Sequence, residues 1–314
     1  MFKITKEKFG HLTKIKLINP ETGEYASIIP EFGANVNEIV LGKNDKNYPF
    51  IDGDKDYGSL IKNEWYRGAK LTPFPNRIKD GRYSFDSRNY QLPLNHSEEG
   101  HAIHGLVYNK KFHIKKETEN KGMASVVLEY DYDKDTGGYP FSFSMIITYE
   151  FSQKGFACST MVKNTGKEEM PFADGWHPYF KMGRKVDDLF LKLPSSVKID
   201  VDKKLMPTGT KSMFGRFISP AMIKKQEFDA CFELDNRRIA ETELSDPKNK
   251  ITLVLWQEAG KGKYSHLQVY IPQSRDSIAL EPVTCITDAF NNKKGLVILG
   301  PREEFKGRYG VYIK

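Results

Sequence analysis

The chain has 314 residues, 39% of them hydrophobic and 12% aromatic, which is ample material for a packed core and excludes a disordered polymer. Its net charge is +7, yet Lys and Arg are scattered among acids or at most paired, as at Lys110-Lys111 and Lys293-Lys294. A solvated basic surface therefore accounts for the charge better than a nucleic-acid or membrane partner.

Along the chain the dominant period is two, which marks strands with one face on a core. Short strands are expected at residues 2–4, 13–17 and 25–29, and a turn or two of helix within 56–69. Strands at 82–85 and 90–92 follow, with Lys79-Asp80-Gly81-Arg82 read as a hairpin turn because Asp-Gly suits positive φ. Stronger alternation covers 124–131 and 141–151, where Phe141, Phe143, Met145, Ile147, Tyr149 and Phe151 share one face. Further strands are expected at 188–193, 251–256 and 266–271. Helical periodicity is weak throughout, and no linker, low-complexity tract or repeat interrupts the pattern. Many short strands without βα alternation predict an all-β protein, a large antiparallel β-sandwich, with residues 1–314 as a single domain.

Cys158, Cys231 and Cys285 form no CxxC and have no zinc-type spacing with histidine, so no metal site is expected. They read as reduced thiols in a cytoplasmic protein. Residues 1–17 lack the apolar stretch of a signal peptide, and no run of about 18 apolar residues would span a bilayer.

Three segments carry residues suited to chemistry. In Asp174-Gly-Trp-His-Pro-Tyr-Phe180, His177 stands beside large rings. Sugars stack their C–H faces on such rings, with Trp176 a candidate, while an imidazole exchanges protons. In Ser277-Ile-Ala-Leu-Glu-Pro282, Glu281 ends an apolar run; it is either a solvated strand terminus or a buried carboxyl that needs a purpose. In Gly68-Ala-Lys-Leu-Thr-Pro-Phe-Pro-Asn-Arg-Ile78, Arg77 is either an ordinary surface arginine or one fixed by two prolines to donate forked hydrogen bonds. Each has a purely structural reading, and none decides the function alone.

Taken in order, these segments resemble the aldose 1-epimerase (galactose mutarotase) family. The resemblance rests on Pro75-Asn76-Arg77-Ile78 with Gly81 and Gln91-Leu92, on His104-Gly105, and on Trp176-His177-Pro178-Tyr179-Phe180. It continues through Met206-Pro207-Thr208-Gly209, Phe228-Asp229-Ala230-Cys231-Phe232, Leu267-Gln268-Val269-Tyr270, Leu280-Glu281-Pro282 and Asp288-Ala289-Phe290-Asn291. It implies the galactose mutarotase-like supersandwich and interconversion of the α and β anomers of a free sugar without a cofactor; the sequence leaves open whether the chain is a monomer or homodimer. It also implies Glu281 as general base, His177 as general acid, and Arg77, His104, Asp229 and Gln268 as ligands of sugar hydroxyls.

There are departures. Trp176 stands where many members have Asn, and Leu106-Val107-Tyr108 replaces a glycine-containing stretch; both bear on which sugar fits. The acid–base roles call for an ionised Glu281 and a protonated His177, or the reverse, with Asp229 or Asp174 expected to raise the histidine pKa. Rival readings are a hexose 6-phosphate epimerase using Arg67, Lys70 and Arg88, a glycosidase using Asp229 and Glu281, and a non-catalytic sugar-binding protein.

Overall fold

The computed structural model describes residues 1–96, 99–235 and 237–314. Strand Phe143–Ser152 shows how the sequence makes the sheets. Phe143, Met145, Ile147, Tyr149 and Phe151 are buried and every intervening residue is half-exposed, because successive side chains of a strand point to opposite faces.

This strand lies within a nine-stranded antiparallel sheet. Its order is His113–Glu119, Met123–Tyr132, Phe143–Ser152, Gly155–Asn164, Glu304–Ile313, Ile251–Glu258, Ile239–Asp246, Phe190–Lys192 and Ala221–Met222. A six-stranded sheet runs in the order Tyr179–Phe180, Ile278–Val283, His266–Tyr270, Asp229–Glu233, Val197–Val201 and Pro207–Met213. A five-stranded meander from Lys3–Phe9 to Lys46–Pro49 completes the main architecture.

A cluster of buried side chains joins the three sheets, including Ile28, Phe143, Tyr149, Trp176, Leu280 and Tyr309. Within this core the Tyr149 hydroxyl donates to the Ala34 carbonyl at 2.8 Å. The antiparallel β-sandwich expected from alternation is therefore the architecture observed.

The short helix expected within 56–69 is Tyr57–Lys62. Asp56 caps it by accepting from the Ser59 amide at 2.8 Å, and Asn63 ends it in the left-handed region.

One expectation is overturned. Lys79-Asp80-Gly81 is a 3₁₀ turn between two separate ladders, not a hairpin. Arg77–Ile78 pairs with Ala102–Ile103, and Arg82–Phe85 pairs with Arg88–Gln91. The hairpin turn is Asp86-Ser87, both at positive φ, which aspartate tolerates through local hydrogen bonding.

Candidate active site

Four strands of the six-stranded sheet assemble most of the site by register alone. Gln268 is paired with Glu281, Cys231 with Gln268, Asp229 with Tyr270, and Tyr179 with Ala279. Directly paired residues share a face, and so do residues two apart along a strand. Tyr179, Glu281, Gln268, Tyr270 and Asp229 therefore project from one face, into a cleft of roughly 560 Å³. Within it, the Gln268 amide donates to Asp229 Oδ1 at 2.8 Å.

His177 reaches the same cleft from the segment before Tyr179. The stretch 68–71 runs beside this segment and fixes it. The His177 amide donates to the Ala69 carbonyl at 3.0 Å, the Gly68 amide to the His177 carbonyl at 2.9 Å, and the Leu71 amide to the Gly175 carbonyl at 2.9 Å.

Behind this pair of segments lies a fully buried ion pair, Lys70 Nζ to Asp174 Oδ2 at 2.6 Å. Tyr264 donates to the same carboxylate oxygen at 2.7 Å, Thr72 donates to the other, and Thr160 accepts from Lys70 at 3.1 Å. Multiple hydrogen bonds of this kind are what make a desolvated pair tolerable.

His104 enters from the opposite wall, at φ +60°. The following Gly105 passes so close to Thr72 that a Cβ there would stand 2.2 Å from its carbonyl oxygen, and its φ is +78°, so only glycine fits. The Asn76 amide donates to His104 Nδ1 at 3.3 Å. That nitrogen is thus the acceptor and Nε2 carries the proton, free to donate.

The geometry of the cleft floor centres on two groups. His177 Nε2 lies 3.6 Å from Glu281 Oε1, and both side chains are buried at the cleft floor. The His177 ring stacks on Tyr179, centroids 4.9 Å apart, and meets His104 edge-on at 5.1 Å.

Burial pushes the His177 pKa down to about 3 and that of Glu281 well up, the latter reinforced by Asp229 and opposed by Arg77. His104 is held well below its usual value, by burial first and by His177 second. Partial desolvation within the cleft also raises Asp229, although Arg77 and the Gln268 hydrogen bond oppose it. Burial of the pair thus favours the uncharged imidazole and the protonated carboxyl.

Of the two starting states expected, these shifts point toward the second, with the proton on Glu281. The structure also removes the expected aid from a neighbouring aspartate, since Asp174 is committed to Lys70 and Asp229 to Gln268.

The structure gathers Glu281, His177, Arg77, His104, Asp229 and Gln268 around one cleft. Trp176 is the exception and is a correction. Adjacent residues of an extended chain face opposite ways, so as His177 turns to the cleft Trp176 turns to the core. There it is fully buried and stacked on Tyr309 at 5.0 Å.

The cations weighed for a phosphate also lie elsewhere. Lys70 is buried against Asp174, Arg88 is exposed and paired with Glu168, and Arg67 lies behind the Tyr179 ring beside Asp52.

Sequence reasoning missed Trp65, Tyr66, Tyr270 and Glu99 in the lining. The Trp65-Tyr66 pair is a signal that could have been read, as two adjacent rings in a polar stretch.

The comparisons with known proteins bear on family and fold. The family model for aldose 1-epimerase matches residues 14–312. The uncharacterised protein YihR of Escherichia coli K12 is 26% identical over 297 residues, covering 92% of this chain and 91% of that protein. A galactose mutarotase-like protein from Clostridium acetobutylicum superposes with a TM-score of 0.89 at 23% identity, over 100% of this chain and 98% of that one. Galactose 1-epimerase from Lactobacillus acidophilus NCFM superposes at 0.81 and 18% identity, over 100% and 98%. With a family match across nearly its whole length and that family's fold, the chain belongs to the aldose 1-epimerase family.

Proposed function

We propose that the protein is a mutarotase that interconverts the α and β anomers of a free aldose by opening and reclosing the hemiacetal ring. The observation that carries this reading is the desolvated His177–Glu281 pair, 3.6 Å apart at the floor of a cleft lined by hydroxyl-binding groups.

Ring opening needs one proton to leave the C1 hydroxyl and one to reach the ring oxygen. The pair holds a single proton, and its two members can address two oxygens on one carbon. In the uncharged form favoured by burial, His177 takes the C1 hydroxyl proton and the Glu281 carboxyl gives its own to the ring oxygen. The family's assignment, Glu281 as base and His177 as acid, is the other tautomer of the same one-proton pair. The two have equal proton count, so a pH profile reads them identically, and the ¹⁵N shifts of His177 in the sugar complex tell them apart.

After rotation about C1–C2 the aldehyde recloses with the proton flow reversed. Arg77, His104 Nε2–H, Asp229 and Gln268 hold the hydroxyls that do not react, and the Trp65, Tyr66 and Tyr270 rings give the sugar C–H groups a surface. The three cysteines are free and buried, in keeping with a reducing, cytoplasmic setting.

Polarimetry on freshly dissolved α-D-glucose and α-D-galactose tests the proposal. Faster decay to the equilibrium rotation with the protein, lost in E281Q, is the expected result. Equal rates with and without the protein would sink it.

A further inference from the structure

Glu99 was not among the residues that the sequence marked, yet it holds the arginine on which sugar binding depends. Arg77 Nε donates to Glu99 Oε2 at 2.5 Å and Nη2 donates to Oε1 at 3.2 Å, the two-point fork that arginine makes with a carboxylate. Nη1 donates to Asn76 Oδ1 at 3.2 Å. The Arg77 side chain is nearly buried, whereas that of Glu99 is 38% exposed at the cleft rim. The remaining N–H groups of the guanidinium suffice for hydroxyls. Its side-on edge, Nε with Nη2, one of the two edges by which a guanidinium grips a carboxylate or phosphate at two points, is already filled.

Charge in the cleft points the same way. Among the described lining residues, Arg77 is the one permanently charged cation, against the carboxylates of Glu64 and Glu99, with the carboxyl groups of Asp229 and Glu281 deeper in the cleft. Arg77 holds the Glu99 carboxyl below its usual range, so Glu99 is ionised at neutral pH. A ligand with an anionic arm would meet Arg77 already neutralised, among further carboxyl groups.

Resting on the mutarotase reading, we propose that Glu99 is a specificity-determining residue: by occupying the forked edge of Arg77 it reserves the arginine for hydroxyls and closes the cleft to sugars bearing an anionic substituent. The substrates it admits are neutral aldoses; hexuronates and sugar phosphates are turned away.

The test compares D-galactose with D-galacturonate in the wild type, E99Q, E99A and E64Q, the last removing a cleft charge that makes no contact with Arg77. Anomer exchange is read by NMR and affinity by calorimetry. The wild type should prefer galactose in kcat/KM, and both Glu99 variants should narrow that preference by about tenfold, the scale of a screened charge pair at a partly exposed rim. E64Q should narrow it less.

A preference unchanged in both Glu99 variants, an equal shift in E64Q, or a wild type without preference would each overturn the proposal. So would variants that lose both sugars alike, because that would make Glu99 a support for Arg77 and not a filter. Calorimetry reads the same ratio without turnover. Absent exchange with a shifted affinity ratio would therefore refute the mutarotase reading alone, and normal exchange with an unshifted ratio would refute the role of Glu99 alone.

Discussion

Two buried acid–base pairs lie a few residues apart in this molecule, and they are built in opposite ways. Lys70 and Asp174 have no exposure and are surrounded by Thr72, Thr160 and Tyr264, so each charge is answered by its partner and by hydroxyls. His177 and Glu281 are also desolvated, but at 3.6 Å they do not hydrogen-bond to each other, and His177 Nδ1 has no hydrogen-bond partner among the described residues. The first pair is satisfied and its role is to hold. The second has shifted proton affinities and lacks such partners among the described residues, which is the pattern expected of a functional pair.

The largest effect that can break this comparison is on catalysis. E281Q and H177N each keep shape and remove proton transfer, so each should cut anomer exchange by about 10²–10⁴ while the unfolding midpoint in urea stays close to wild type or rises. A variant that retains wild-type exchange removes its residue from the mechanism.

Next comes the holding pair. D174N leaves Lys70 buried and uncompensated, which should cost roughly 3–5 kcal/mol of unfolding free energy. Replacing both partners with apolar groups, K70M with D174L, should recover most of that loss. Recovery of stability without recovery of exchange would show that the pair also positions His177, since Lys70 and Asp174 sit on the two segments that bracket it.

The two residues of the reactive pair should also respond oppositely to pH in stability. The folded chain leaves His177 unprotonated down to about pH 3, whereas an unfolded chain protonates it near 6.5. Its burial therefore costs increasing stability as pH falls through that window. The folded chain keeps the Glu281 proton well above the ordinary carboxylate range, so its burial costs increasing stability as pH rises from there. Where the two windows overlap the slopes, each at most ~1.4 kcal/mol per pH unit, oppose one another in the wild type. H177N should gain on the wild type as pH falls, and E281Q should gain as pH rises. Parallel curves from urea melts at several pH values would refute the opposed burial of the two groups.

The sequence made the strand face legible and left the partners illegible, for a physical reason. Alternation is a local property, so the strand at residues 143–152 and the common face of Gln268 and Tyr270 follow from spacing once a strand is granted. Strand Asn35–Lys43 escaped because Asn35 and Asn37 are buried and erase the alternation. Strand Glu304–Ile313 escaped because Gly307 and Gly310 stand where side chains would have marked the pattern; a Cβ on Gly310 would lie 2.3 Å from the Phe156 carbonyl oxygen. Which charge meets which is decided by contacts across 22 residues for Arg77–Glu99 and 104 for Lys70–Asp174. No local pattern records them, so Asp174 could be imagined beside His177 when it faces away. Trp176 was misplaced by a sharper error, because the same alternation that turns His177 to the cleft turns its neighbour to the core.

The smallest effect concerns the link between the reactive pair and the groups that hold the substrate. Asp229 accepts from Gln268 and raises the proton affinity of Glu281 through its charge. D229N keeps the size of the side chain and the possibility of a hydrogen bond, but removes that charge. Losing one charge-assisted contact to a hydroxyl at a solvent-open position should raise KM severalfold, the net worth of about 1 kcal/mol. The Glu281 carboxyl should meanwhile release its proton at lower pH. If the neutral pair is the working form, the alkaline limb of kcat must move toward lower pH in D229N. An unmoved limb together with a raised KM would show that Asp229 only binds, and that the proton affinity of Glu281 is set by burial alone.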